Sequence, residues 1–206
     1  MTTVGRWSPN KVRARVLDGT WVSAEELGGM VLLTPTSIAY SGTSATIGAN
    51  GSVSFSAVSS LSLNGVFSAD YDNYMVAIRC VATSSFEGLN YRLRVSGADN
   101  STASSYVSQR ITASSTTISG SRSTNNYGVV IQVDDEQRSG GQWNIYGPYL
   151  SQPTAARGVN VNGQTGAAMV DWASTHNQSA SYDGFTFYPG SGNFTGLVSV
   201  FGLVGA

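Results

Sequence analysis

The sequence predicts an all-β protein: an antiparallel β-sandwich, jelly-roll-like, behind a short N-terminal anchoring arm. Three observations carry this. First, the stretch Phe55–Ser96 holds two runs in which every second residue is apolar: Tyr74, Val76, Ile78, Cys80, Ala82, then Leu89, Tyr91, Leu93, Val95. A period of two puts these residues on one face of a pleated strand and the residues between them, such as Asn90, Arg92 and Arg94, on the other. The two runs read as adjacent antiparallel strands, with a core face and a face toward solvent or a partner. Second, turn residues recur between such runs, and Asn50-Gly51 and Asn64-Gly65 suit tight turns because both types tolerate positive φ. Third, no segment of ten residues carries a helical period.

In chain order, residues 1–35 differ from the rest. Val12, Ala14 and Val16 alternate with Lys11, Arg13 and Arg15, and Asp18-Gly19 is a turn signal before Trp21-Val22. A small hairpin is expected over Lys11–Leu17 and Thr20–Ser23, then one helical turn over Ser23–Leu27, stopped by Gly28-Gly29. Too few apolar residues are present for a core, so this arm is expected to be ordered by docking. Its candidate anchoring residues are Arg6, Trp7, Lys11, Arg13, Arg15 and Trp21, and Pro35 closes it.

The head domain spans residues 36–206. Strands are expected at Ser52–Val58, Asn73–Thr83, Leu89–Ser96, Ser105–Thr112, Tyr127–Val133, Gln142–Leu150 and Arg157–Val161. Three more are expected at Ala167–Ala173, Gly184–Tyr188 and Gly196–Val204. The low-complexity run Ala113–Asn126 reads as a long loop. The last strand is apolar on both sides, with Phe194, Val198, Val200 and Val204 one way and Leu197, Phe201 and Leu203 the other. Such a strand is either central or covered on one face by a neighbouring subunit. One sandwich covers only one face of each sheet, so Leu197, Phe201 and Leu203 are candidates for a trimer interface.

Composition narrows the function. Hydrophobic residues make up 41% of the 206 residues, enough for a core, whereas charged residues are only 11% against roughly 25% in ordinary soluble domains. Net charge is −1, and the basic residues are scattered without interleaved aromatics, so no nucleic-acid partner is expected. The one cysteine, Cys80, lies on an apolar strand face and reads as a buried thiol. The opening MTTVGRWSPN has no apolar signal-peptide core, and no run is long enough for membrane insertion.

Catalytic parts are sparse. The sole histidine, His176, sits in a polar stretch near Asp171 and Ser174 and reads as a solvated loop residue. There is no Gly-x-Ser-x-Gly elbow and no metal-ligand spacing of His or Cys. Asp134-Asp135-Glu136 and Asp70/Asp72 read as acidic turns rather than cation sites. No cofactor and no metal are expected, and the chain reads as a non-enzyme. Binding is better supplied: Trp143, Tyr146, Tyr149, Trp172 and Tyr182 lie among Asn, Gln and Asp residues in the C-terminal half and are candidate glycan-binding residues. Aromatic faces with polar neighbours grip sugars, and they also build interfaces.

Residues 53–111 carry a further pattern: Leu63-Asn64-Gly65-Val66-Phe67, Tyr71-Asp72-Asn73-Tyr74, Leu93-Arg94-x-Ser96-Gly97 and then Tyr106. This stretch resembles a β-rich domain of tailed-bacteriophage virion proteins labelled tail fibre, minor tail or receptor-binding proteins. Val16-Leu17-Asp18-Gly19-Thr20-Trp21-Val22 is similar to the short hairpins near the attachment ends of such proteins. The resemblance covers about a third of the chain and brings no catalytic residue. It implies a homotrimer in the virion, with a β-sandwich head and an arm bound to other tail or capsid proteins. Two roles follow as expectations: a tail-tip or fibre protein that binds the host surface, or a capsid decoration or head-fibre protein with a structural role alone.

Overall fold

A computed structural model describes residues 29–84, 87–135, 139–162 and 167–204. The hairpin of Lys11–Ser23, the turn at Ser23–Leu27 and the candidates Arg6, Trp7, Lys11, Arg13, Arg15 and Trp21 lie outside them. The described residues form fourteen strands: β1 (Gly29–Leu33), β2 (Ser37–Ile47), β3 (Val53–Asn64), β4 (Asn73–Ala82), β5 (Glu87–Val95), β6 (Ala98–Asp99) and β7 (Tyr106–Ser114). There follow β8 (Thr117–Asn125), β9 (Gly128–Val133), β10 (Ser139–Tyr146), β11 (Gln152–Asn162), β12 (Ala168–Ala180), β13 (Gly184–Pro189) and β14 (Phe194–Val204). All ten strands expected from the sequence are present, every pairing is antiparallel, and the described residues contain no helix.

The strands hydrogen-bond in the order β6-β5-β13-β3-β14-β4-β10-β11-β12-β7-β8, with β1 on β14, β2 on β3 and β9 on β5. The sheet curls at β3. Its edge opposite β2 is shared, Leu61–Leu63 pairing with β13 and Val53–Val58 with β14. Between these halves the register against β2 slips at Ser41/Gly42, opposite Ser59, and the register against β14 slips at Phe194/Gly196, beside Ala57 at φ 46°. An irregularity of this kind bends a strand and lets it serve two parts of a sheet. Gly42, at φ 128°, is required here, because a Cβ would overlap the Ala57 carbonyl oxygen.

Curling gives one core. Phe55, Phe187 and Phe194 meet at ring distances of 4.8–5.9 Å, and Trp143 on β10 stands edge-on to Phe185 on β13 at 5.9 Å. The strand β9 lies inside, with all six residues buried; it pairs with β5 and packs on β10, β11 and β12. Two of its residues are also held by side chains: Ser108 Oγ accepts from Val129 N, and Asn160 Oδ1 accepts from Gln132 N while Asn160 Nδ2 donates to Gln132 O. A buried strand is tolerated because its backbone groups are paired in this way.

Four expectations are corrected. β4 and β5 are not neighbours: β14 and β10 flank β4, and β13, β6 and β9 pair with β5. Alternation determines which face a residue takes but not which strand lies alongside, and here the neighbours come from later in the chain. Arg94, expected on an open face, is buried, donating to Ser62 Oγ at 2.7 Å, Asp99 Oδ1 at 2.6 Å and Thr186 Oγ1 at 2.5 Å. Residues 113–126 form much of a β7–β8 hairpin, with Ser115 at φ 52° in the turn, instead of a loop. β8 is an edge strand exposed on both sides, so it is polar apart from Ile118 and shows no alternation. Gly29–Leu33, grouped with the arm by its sequence, pairs with Val200–Val204 in the sheet.

Candidate binding face

The face opposite the core is generated by the same alternation. On β10, Trp143 and Ile145 point inward; Gln142, Asn144 and Tyr146 point outward. On β11 the usual chemistry is inverted, since Asn160 is buried on β9 whereas Val159 and Val161 are exposed. On β12, Val170, Trp172, Ser174 and His176 are buried, and Met169 is 68% exposed. Ile111 on β7 and Ile118 on β8 also face out.

Cross-strand register aligns these residues in rows. One row runs Gln142, Val159, Asp171, Ile111; the next runs Gly140, Val161, Met169, Ala113, Ile118. Gly140 contributes no side chain to this face, where a recess of about 510 Å³ is lined by Val159, Val161, Met169, Ile111 and Ala77. Gln142 and Asp171 are its outward polar members. Beside it lies a polar strip. Arg157 Nη2 donates to Asp171 Oδ2 at 2.7 Å and Nε to Oδ1 at 3.2 Å. Asn144 Nδ2 donates to the Tyr146 hydroxyl at 3.4 Å. The Arg157–Asp171 pair is exposed, so it organises the strip and adds little stability.

The five glycan candidates separate. Trp143, Trp172 and Tyr182 are 1%, 7% and 0% exposed, so their rings pack in the interior and meet no external ligand. Tyr146 and Tyr149 remain accessible, at 39% and 38%. Of the interface candidates on β14, Leu197 is 39% exposed, and Phe201 and Leu203 are partly exposed on the outer face; Val198 and Val200 are in the core. Cys80 is fully buried. Asp134 is buried and Asp135 exposed at the end of β9, whereas Glu136 lies outside the described residues. Asp70 takes part in a local turn, accepting from Ser68 Oγ at 2.9 Å. Among the described residues no group of three His, Cys, Asp or Glu side chains is placed to hold a metal ion, and no helix is long and apolar enough to cross a membrane.

No protein-family model matches the chain, and no curated protein matches it. Two solved structures are reported for comparison. The crystal structure of the protein of unknown function SO2946 from Shewanella oneidensis MR-1 is 8% identical, with 98% of this chain and 97% of that one covered and a TM-score of 0.22. Lectin UEA-II complexed with galactose is 10% identical, with 81% and 98% covered and a TM-score of 0.27.

His176 departs from its expected place. It is fully buried on β12, with Nε2 2.7 Å from the Tyr182 hydroxyl and its ring stacked on Tyr106 at 4.1 Å. The Tyr182 hydroxyl also accepts from Asn100 Nδ2, and the Tyr106 hydroxyl accepts from Leu93 N and donates to Asn100 O. Desolvation lowers the His176 pKa below its ordinary 6.5, with the Ser105 carbonyl opposing in part. The folded state therefore holds His176 neutral while the unfolded chain still binds a proton. Stability from this source is complete above about pH 6.5 and is lost as pH falls through that value to the lower folded-state pKa. Melting temperature should fall between pH 7 and 5 more steeply for the wild type than for His176→Gln. Parallel curves for the two proteins would contradict this.

The apolar recess had no clear signal in the sequence. Val159, Val161 and Met169 are ordinary strand residues by type, and only the pairing of Asn160 with β9 shows that the apolar set points outward.

Proposed function

We propose that the chain is a non-catalytic virion protein of a tailed bacteriophage, at the tail tip or in a fibre, and that its outer sheet face contributes to host-surface binding. The observation that carries this is the strip of Tyr146, Asn144, Gln142 and Arg157 on rigid strands beside an apolar recess. An aromatic face with amides and a fixed guanidinium suits a sugar ring, stacking on its C–H face and bonding its hydroxyls. The motif residues of the phage-like stretch fit a scaffold role: Phe67, Tyr74 and Leu93 are in the core, and Arg94 is tied to Asp99. The finer architecture proposed is the jelly-roll-like sandwich, in which strands near β13 oppose strands near β10. The Trp143–Phe185 contact, between strands far apart in the hydrogen-bonded path, supports it. The residues before β1, 1–28, would anchor the protein to its virion partners, and the head would work as a homotrimer.

The second reading, a capsid decoration or head-fibre protein with a structural role alone, is favoured by the burial of Trp143, Trp172 and Tyr182. Binding to a panel of bacterial surface polysaccharides separates the two. The wild type should bind at least one member, and Tyr146→Ala should weaken that binding about tenfold, because a stacked aromatic contributes roughly 0.5–1.5 kcal/mol beyond the area it covers. Absence of binding, or equal binding by the variant, favours the structural role.

A further inference from the structure

We propose that a cleft around Tyr127, on the core side of β7 and β12, is a second ligand site, and that it takes a saccharide carrying carboxylate or phosphate groups. Among the described arginines, Arg94 and Arg157 are paired with Asp99 and Asp171, and Arg79 and Arg122 are exposed to water. Arg92 and Arg110 are in neither situation. Both are partly buried, and neither has a carboxylate in ion-pair contact among the described residues. Each is laid on an aromatic ring instead. Arg92 Cζ is 5.3 Å from the centre of the Tyr188 ring, and Arg110 Cζ is 5.5 Å from that of Trp172. A guanidinium does not shed its proton, so partial burial without a counter-charge leaves it with an unmet attraction for anions.

Tyr127 joins the two arginines. Its ring meets Tyr188 edge-on at 6.2 Å and packs against the cluster of Val129, Val170 and Trp172. Arg92 Nε donates at 3.0 Å to the carbonyl of Asn126, the residue before it. Arg110 Nε and the Tyr188 hydroxyl are buried with no hydrogen-bond partner. The cleft therefore lacks an acceptor, and carboxylate and phosphate are acceptors that also bring the missing charge. The acids nearby are committed elsewhere: Asp99 accepts from Arg94 and Thr186, and Asp171 holds Arg157 on the outer face. The wall beside Arg110 points to a sugar as the carrier. Register sets Ser123, Ser121 and Ser119 of β8 beside Ser108, Arg110 and Thr112 of β7 on one face, a row of hydroxyls that matches those of a saccharide. Nucleic acid fits less well, because the rings under both arginines are already covered and two cations follow too little of a phosphate backbone. The cleft shares no residue with the Tyr146 strip, so each site can fail without the other.

The test is calorimetric titration of the full chain with three probes at one fixed ionic strength, since salt screens exposed charges. The probes are trigalacturonate, glucose 6-phosphate and neutral maltotriose. At least one acidic probe should bind, and at least tenfold more tightly than maltotriose. Binding of trigalacturonate alone assigns the site to carboxylate sugars, of glucose 6-phosphate alone to phosphorylated ones, and of both to the oxyanion itself. Arg92→Gln and Arg110→Gln should each weaken binding about tenfold. Arg122→Gln, which removes an exposed charge from β8, should leave it unchanged. No acidic probe binding, maltotriose binding equally well, or wild-type affinity in either Arg92→Gln or Arg110→Gln would overturn the proposal. So would an equal loss in Arg122→Gln, which would mark diffuse attraction to the strand edge. Melting curves verify that each variant folds. If one does not, the wild type decides by nuclear magnetic resonance. The Nε–H signals of Arg92 and Arg110 should then move on titration with the acidic probe while that of Arg122 stays, and fixed signals at both would overturn the site.

Discussion

Trp143→Ala is expected to lower the melting temperature by roughly 10 °C or more without acting on any surface site. The indole is 1% exposed, stands edge-on to Phe185, and sits over β9 between strands β4 and β11. Truncating a buried Trp costs about 3–5 kcal/mol through lost burial and the cavity left behind. In a chain of this size each kcal/mol moves the midpoint by roughly 2–4 °C. The indole Nε1 has no hydrogen-bond partner, so the loss is one of packing. Trp143→Phe, which keeps an aromatic ring in place, should lose much less. Urea denaturation followed by circular dichroism measures both. If Trp143→Ala keeps wild-type stability and loses polysaccharide binding, the side chain acts at a surface and the packing argument is wrong.

The second large effect belongs to a glycine. A Cβ at Gly158 would overlap the Val130 carbonyl oxygen and lie 3.0 Å from Trp143 Cβ. Both obstacles are fixed, one in the backbone of the interior strand and the other at the root of a buried indole. Gly158→Ala therefore has to push β11 away from β9, and overpacking of this kind costs about 1–3 kcal/mol, occasionally more. The conformational gain of Gly→Ala, about 0.4–1 kcal/mol, works in the opposite direction and is outweighed. Gly140→Ala is the control, because its nearest neighbour would be the Ile78 carbonyl oxygen at an ordinary 3.8 Å. Gly140→Ala should be neutral or slightly stabilising and Gly158→Ala clearly destabilising in the same melt. Equal midpoints would show that β9 does not press on β11.

Strands were legible where one face is apolar and the other polar. β4 shows this plainly, its Tyr74, Val76, Ile78, Cys80 and Ala82 all buried as alternation requires. β8 was not legible, because an edge strand with two solvated faces has no contrast to read. His176 was misplaced for the converse reason: its neighbours in the interior are Ser174, Ser108 and tyrosine hydroxyls, so a polar run concealed an inward face. The binding face was partly legible. Tyr146 and Tyr149 are exposed, but Trp143, Trp172 and Tyr182 are aromatic for the sake of the core. The inversion on β11 depends on Asn160 meeting a strand about thirty residues earlier, a contact no local pattern encodes.

The position of β14 determines when a ribosome-bound chain can close. Phe194 pairs with Val58 on one side and with Ala82 on the other, so the last described strand to be synthesised fills the gap between β3 and β4, two of the earlier ones. Until it emerges, both of those strands present unpaired backbone and the apolar faces of Phe55, Val76 and Ile78 lack their cover. Loop-closure entropy delays such distant pairings, and open strand edges invite contact with other nascent chains. The hazard of misassembly is therefore concentrated in the interval between translation of Ala82 and translation of Val204. Neighbouring nascent chains on one message pass through this interval close together, with β3 and β4 each open to the β14 of the wrong copy.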